Sequence, residues 1–439
     1  MRSWVIHASD QIRGSIRVPG DKSISHRSLL LGALAHGTTE VRGFLRSQDC
    51  LTTLAILRAL GVEITESADG RIEICGRGPE ELREPETVLD AGNSGTTLRL
   101  LAGILAGRPF FSVLTGDASL RRRPMRRVVD PLTAMGATLL GRAGGQYPPL
   151  AIQGRQLSGI AWPSPVASAQ VKSAILLAGL QATGETSVTE PMLSRDHTER
   201  MLTAFGVSVR REGTTVSIPG EARLHATNLA VPGDLSSAAF FLIAAAALPG
   251  SELLIRDAGI NPTRTGVLEV LEAMGARVTR ERERSEGGEP VADLRIRGAR
   301  FRGAKVGAEL IPRLLDEIPA LAIAAGLAEG ETVISGAAEL RAKEVDRLSA
   351  VAGELAKLGI QVAEEREGLR IVGGRRLRGA VVRSRGDHRM AMALAVAGLF
   401  ADGETRVQDV ACVETSFPGF AELLAEVAPG CGIQEIEEA

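Results

Sequence analysis

The chain has 439 residues, 44% of them hydrophobic and 24% charged, with a formal net charge of −2. That length exceeds what one hydrophobic core holds, so two or more domains are expected. Near-neutrality and only 3% aromatics argue against nucleic acid or a membrane as partner, and the four cysteines have neither metal-ligand nor disulfide spacing, which fits a reducing cytoplasm.

From the N-terminus, residues 1–6 lack the apolar stretch of a signal peptide. A break follows at Val18-Pro19-Gly20-Asp21-Lys22-Ser23. An apolar helix over 28–35 then runs into Gly37-Thr38-Thr39-Glu40-Val41, a turn and an alternating strand. Next come a polar loop, a helix closing at Leu60-Gly61-Val62, and a strand pair over 62–67 and 71–75.

This order repeats along the chain. The Gly-x-Thr marker returns at Gly184-Glu185-Thr186, Gly330-Glu331-Thr332 and Gly403-Glu404-Thr405, with a close relative at Gly250-Ser251-Glu252 and a degenerate copy at Gly107-Arg108-Pro109. The closing marker returns at Met135-Gly136-Ala137, Phe205-Gly206-Val207, Met274-Gly275-Ala276 and Leu358-Gly359-Ile360, and weakly at Cys431-Gly432-Ile433. Six copies spaced by about 73 residues make a repeat architecture of α/β class. Six cannot share one core, so two groups of three are expected. Val231-Pro232-Gly233-Asp234 echoes the first break, giving one domain over 21–230 and another from 1–20 with 231–439. The span 277–293 reads as an exposed hairpin, and the acidic tail 435–439 as frayed.

The residues opening each copy's first helix vary most: Gly20 to Arg27, Gly92 to Arg99, Ala167 to Ser173, Gly233 to Ser237, Leu315 to Pro319, and Gly386 to Ala391. Helix N-termini suit anions, through orphan N–H groups and the dipole. Lys22, Arg27, Arg123, Arg195, Lys343, Arg347 and Arg389 lie in or near these segments. No nucleotide-binding fingerprint is present, so a small molecule bearing phosphate or carboxylate is the expected ligand. The remaining arginines of 121–127 read as a solvated face. His26, His197 and His388 lack metal spacing, and Cys50 and Cys412 read as unreactive thiols.

Asp21-Lys22-Ser23, Asn93-Ser94-Gly95, Arg123-Pro124-Met125, Ser168-Ala169-Gln170, Arg195-Asp196-His197, Lys343-Glu344 with Arg347, and Asp387-His388-Arg389 together resemble the enolpyruvyl transferases acting on shikimate 3-phosphate. The resemblance covers nearly the whole chain. It implies a two-domain inside-out α/β barrel of six βαβαββ repeats, three per domain, with the active site in the cleft between domains. It implies transfer of the enolpyruvyl group of phosphoenolpyruvate to the 5-hydroxyl, by a cytoplasmic monomer needing neither metal nor organic cofactor.

By the same resemblance, Lys22, Ser23, Arg27, Ser168, Ala169, Gln170, Arg195, Asp316 and Lys343 bind shikimate 3-phosphate. Lys22, Gly95, Arg123, Gln170, Arg347 and Arg389 bind phosphoenolpyruvate. Asp316 is the base, Glu344 the acid, and Lys22 a third catalytic group. Val413 to Pro418 offers no lysine where some relatives have one, and Gly95 stands where tolerant relatives carry alanine, implying sensitivity to glyphosate. The sibling transferase acting on UDP-N-acetylglucosamine fits the Lys22 and Arg195 strings less well. An inactive anion-binding scaffold is opposed by the presence of both Asp316 and Glu344.

Overall fold

The computed structural model describes residues 1–437. It divides into two compact units. One comprises 20–232 with 285–289; the other comprises 1–19, 233–284 and 290–437. Each has its own hydrophobic core.

Among the described residues, six four-stranded sheets carry one topology, three in each unit. In the first, His36–Arg42 pairs in parallel with Leu229–Ala230 and antiparallel with Ile72–Arg77, which pairs antiparallel with Glu63–Glu66. The corresponding strands of the other five are Phe111–Thr115, Thr186–Thr189, Glu252–Gly259, Glu331–Ile334 and Thr405–Gln408. The sixth sheet is completed by both ends of the chain. Arg2–Ile6 pairs with Thr405–Gln408 on one side and Gln434–Glu437 on the other, both antiparallel. Residues 435–437 are therefore a paired strand rather than a frayed tail, and Glu435 receives two bonds from the Arg2 guanidinium. Positions 438–439 of that expected tail lie outside the described residues.

The glycine markers have a backbone cause. Gly61 has φ +89°, its N–H bonds Arg58 O, and Val62 N–H reaches back to Leu57 O. That is a Schellman stop, which needs a left-handed residue and so favours Gly. The same pair of bonds closes the helices before Gly136, Gly206, Gly275 and Gly359. The opening markers also need a left-handed glycine, with Gly37, Gly184, Gly250, Gly330 and Gly403 all at positive φ; Gly107 sits at φ −90°, so the opening marker decays in that copy.

The helix that opens each repeat is the interior. Lys22–Leu34, Gly95–Ala106 and Ala169–Gly179 are buried over most of their length in one unit, as are Leu235–Ala247, Ile318–Leu327 and His388–Gly398 in the other. Such helices are apolar all round because sheets or sister helices cover every side. Small residues set their spacing: a Cβ on Gly103 would lie 2.2 Å from Ala174 O, so alanine there would force apart two packed helices. Each buried Leu or Ile contributes roughly 1.5–3 kcal/mol of transfer free energy.

Three features depart from expectation. First, core helices begin earlier than their apolar runs, at Lys22 and Ala169, so the polar openings are themselves helical. Second, the scarce aromatics are concentrated: Trp4, Phe240, Phe241, Phe417 and Phe420 form one connected ring cluster, with Trp4 stacked on Phe420 at 5.6 Å. Third, the hairpin of 277–293 forms, turning at Gly287-Gly288, but its strand Glu289–Arg297 is mostly buried. Its turn residues 285–289 group with 20–232, outside the expected boundaries, because His197 Nδ1 and Glu289 Oε1 are 2.8 Å apart and Arg200 donates to Gly288 O. Among the described residues no helix is long and apolar enough to cross a membrane.

Candidate active site

The six variable segments are helix starts. Their caps are Asp21, Ser94, Ser168, Asp234, Glu317 and Asp387. Asp21, Ser94, Asp234 and Asp387 accept backbone N–H bonds through their side chains; Ser168 and Glu317 do not.

In the unit containing 20–232, Lys22 and Ser23 open the first helix, and Lys22 Nζ lies 3.0 Å from Asp49 Oδ2. One turn on, Arg27 is buried and committed, donating to Ser23 O, Ser173 Oγ and Thr198 Oγ1 at 2.7–3.0 Å. Burial pulls its guanidinium down to about 10 against the raising effects of Glu199 and Asp21, so it stays charged at neutral pH.

A second group forms around Gly95. Arg123 Nη2 donates to Asn93 Oδ1 at 2.8 Å. Arg99 donates to Gln170 Oε1 at 2.6 Å, and Gln170 Nε2 donates to Thr96 Oγ1 at 2.9 Å. A Cβ on Gly95 would meet Arg99 Nη1 at 2.8 Å and Arg123 Nη1 at 3.4 Å. Gly95, Arg123 and Gln170 thus belong to one connected group. Ser168, Ala169 and Gln170 are consecutive and partly exposed, as is Arg195. Ser168 and Arg195 are linked indirectly: Glu190 accepts from the N–H of Ser168 and from the N–H and hydroxyl of Ser194.

In the other unit the structure gathers Asp316, Lys343, Glu344, Arg347 and Arg389. Arg347 is 1% exposed and acts as the hub. Its Nη2 donates to Glu344 Oε2 at 2.7 Å, its Nη1 to Asp316 Oδ1 at 3.3 Å, and its Nε to Asp387 Oδ2 at 2.6 Å. Burial alone would lower its pKa; Asp387, Glu344 and Asp316 outweigh that and hold it above the ordinary value. Lys343 Nζ lies 3.5 Å from Asp316 Oδ1 and Arg389 Nη2 lies 3.8 Å from Asp316 Oδ2. Asp316 and Glu344 therefore share one guanidinium, and Lys343 and Arg389 also stand beside Asp316. Paired carboxylates in unequal fields can divide acid and base duties.

Several supporting residues escaped sequence reading. Asp387 was visible only as a cap, yet it also anchors Arg347. Asp49 and Glu190 carried no signal, and Lys172 and Glu199 stood in or beside recognised strings without a role, because their partners are set by packing rather than by spacing. His26 is fully buried, with Nδ1 2.8 Å from Thr53 Oγ1; burial, then Lys22 and Arg27, hold its pKa well below 6.5. Burial also raises the Cys50 thiol and pushes Cys412 up to about 12. Neither thiol is activated for chemistry.

The profile of the family described as EPSP synthase (3-phosphoshikimate 1-carboxyvinyltransferase) matches residues 6–424. A relative named 3-phosphoshikimate 1-carboxyvinyltransferase from Geobacter sp. (strain M21) is 54% identical over 97% of this chain and 99% of its own length. One of the same name from Desulforudis audaxviator (strain MP104C) is 58% identical over 94% and 96%. A solved structure of EPSP synthase from Acinetobacter baumannii superposes with a TM-score of 0.89 at 46% identity, covering all of both chains.

Proposed function

The chain belongs to the EPSP synthase (3-phosphoshikimate 1-carboxyvinyltransferase) family, and on that premise we propose how its residues divide the work. The reaction moves the enolpyruvyl group of phosphoenolpyruvate to the 5-hydroxyl of shikimate 3-phosphate and releases phosphate. The observation that carries the assignment of roles is Arg347, which binds Glu344 Oε2 at 2.7 Å and Asp316 Oδ1 at 3.3 Å.

Glu344 gives a proton to the methylene carbon of phosphoenolpyruvate, leaving an oxocarbenium-like centre at C2. Asp316 takes the proton of the 5-hydroxyl as its oxygen attacks C2. The tetrahedral adduct then breaks its C2–O bond to phosphate, which leaves with the proton held by Asp316, while the new methyl group returns a proton to Glu344, restoring the double bond. Lys22, Arg123, Arg347 and Arg389 hold the carboxylate and phosphate of phosphoenolpyruvate with Gly95 and Gln170, and stabilise charge on the departing phosphate. Lys22, Ser23, Arg27, Ser168, Ala169, Gln170, Arg195, Asp316 and Lys343 hold shikimate 3-phosphate. Arg27 also fixes Ser23, Ser173 and Thr198 through three of its five N–H groups.

We place the enzyme in the cytoplasm, acting as a monomer on two small phosphorylated substrates; its four cysteines are all free thiols, in keeping with that setting. The test is phosphate release with each substrate alone and with both. Release that needs both supports transfer. Release from phosphoenolpyruvate alone would mark a phosphatase and remove the roles given to Asp316 and Glu344.

A further inference from the structure

We propose that Glu190 is a positioning residue for the phosphate end of the acceptor site, with Lys172 as its counter-charge. The inference rests on the reading of Ser168 and Arg195 as phosphate contacts.

Glu190 directly follows the strand Thr186–Thr189 and is 3% exposed. Its Oε1 accepts the Ser168 N–H at 2.9 Å. Its Oε2 accepts the Ser194 hydroxyl at 2.9 Å and the Ser194 N–H at 3.4 Å. One carboxylate thus ties the residue that opens the Ala169–Gly179 helix to the residue preceding Arg195. The two segments are 26 positions apart in sequence and share no backbone ladder bond.

Burying a carboxylate beside an anion site is unfavourable unless it is neutralised. Lys172 supplies the cation. Its Nζ lies 2.8 Å from Glu190 Oε2 and 2.8 Å from Glu199 Oε1, and no side chain of the three is more than 4% exposed. Lys172 stands one turn after Ser168 on the same helix, its N–H bonded to Ser168 O at 3.0 Å. The ammonium therefore fixes the carboxylate from the very helix whose start that carboxylate holds. Ser168 also differs from most of its counterparts: its hydroxyl makes no cap bond, so the helix does not consume it. The bonds of Glu190 go to Ser168, Ser194, Lys172 and, through its own N–H, to Thr214 O, not to Gly95, Arg123 or Gln170. Its influence should fall on shikimate 3-phosphate and spare phosphoenolpyruvate.

Glu190→Gln keeps the volume but replaces one acceptor oxygen by a donor facing groups that already donate. Losing a hydrogen bond to a charged group converts to about a tenfold change or more in affinity. The Kd for shikimate 3-phosphate by calorimetry, and its KM, should rise at least about that much, while KM for phosphoenolpyruvate moves by less than about threefold. Glu190→Asp, which keeps the charge, should recover part of the affinity. An unchanged Kd with only a lower melting temperature, or equal rises in both KM values, would overturn the proposal. Should Glu190→Gln fail to fold, Ser194→Ala decides, since it removes one bond to the carboxylate: weaker acceptor binding supports the proposal and unchanged binding overturns it. Ser168→Ala and Arg195→Ala separate the two readings. If both bind acceptor normally, the site assignment fails and the inference with it; if they bind weakly while Glu190→Gln does not, only the inference fails.

Discussion

Arg347 and Asp387 form a fully buried ion pair, Nε to Oδ2 at 2.6 Å, with side chains 1% and 0% exposed. Asp387 simultaneously caps its helix, Oδ1 accepting from the N–H groups of Arg389 and Met390. One carboxylate thus orients both arginines assigned to phosphoenolpyruvate in this unit. Asp387→Asn preserves the shape and removes the charge. Breaking a buried pair costs about 3–5 kcal/mol, and because Glu344 and Asp316 still balance Arg347, roughly 2–4 kcal/mol is expected here. Urea unfolding measures the stability loss, and KM for phosphoenolpyruvate should rise. A stable variant with normal KM would show that Arg347 needs no anchor.

Glu344 and Asp316 should separate in kinetics from the residues that only bind. Glu344→Gln can still accept from Arg347 Nη2 through its amide oxygen, so folding should survive. Turnover should fall by at least about 10²-fold, the usual scale of a lost general acid or base. Binding of shikimate 3-phosphate should change little. Asp316→Asn should also slow turnover, and it removes the carboxylate that Lys343 and Arg389 flank. Near-normal turnover in either variant would remove that residue from proton transfer.

Much of this fold was legible because the backbone demands behind it recur. Left-handed positions such as Gly61 and Gly359 call for glycine whatever the packing, so the repeat could be counted from sequence. The marker failed where that demand lapses, as at Gly107. It blurred in the last copy, whose sheet borrows Arg2–Ile6 from the other end of the chain. Charged residues at helix starts pointed to the candidate site. What could not be read was the layer behind it, such as Asp387 on Arg347 or Glu190 on Ser168 and Ser194. Those pairs depend on which helices meet, and neither composition nor period encodes that.

His26 gives the stability a pH dependence with a definite sign. Burial holds its folded pKa well below 6.5, and Lys22 and Arg27 add to the depression. Facing it are Thr53 at 2.8 Å, itself 2.6 Å from Thr97, with no carboxylate bonded to the ring. Below about pH 6.5 the unfolded chain binds a proton that the folded protein refuses, so stability falls as pH drops, by up to about 1.4 kcal/mol per pH unit from this residue. His26→Asn should flatten the acid limb of the stability curve between roughly pH 6.5 and 5. Parallel curves for the two proteins would show that His26 protonates freely in the fold.

Gly95 offers the sharpest probe of the phosphoenolpyruvate pocket. Its backbone is helical, so alanine meets no φ penalty, and only space matters. The added methyl would lie 2.8 Å from Arg99 Nη1, a contact that forces the guanidinium to move, and 3.4 Å from Arg123 Nη1. Arg99 holds Gln170 through a 2.6 Å bond, so its displacement also loosens Gln170. Gly95→Ala should therefore raise KM for phosphoenolpyruvate by about tenfold, the scale of one disturbed charge-assisted bond. Glyphosate, an anion longer than phosphoenolpyruvate and expected to compete with it, should lose more affinity than the substrate because it has less room to shift. Inhibition assays at fixed shikimate 3-phosphate compare the two losses directly. Equal glyphosate inhibition of both proteins would place the inhibitor, and with it phosphoenolpyruvate, away from Gly95 and Arg123.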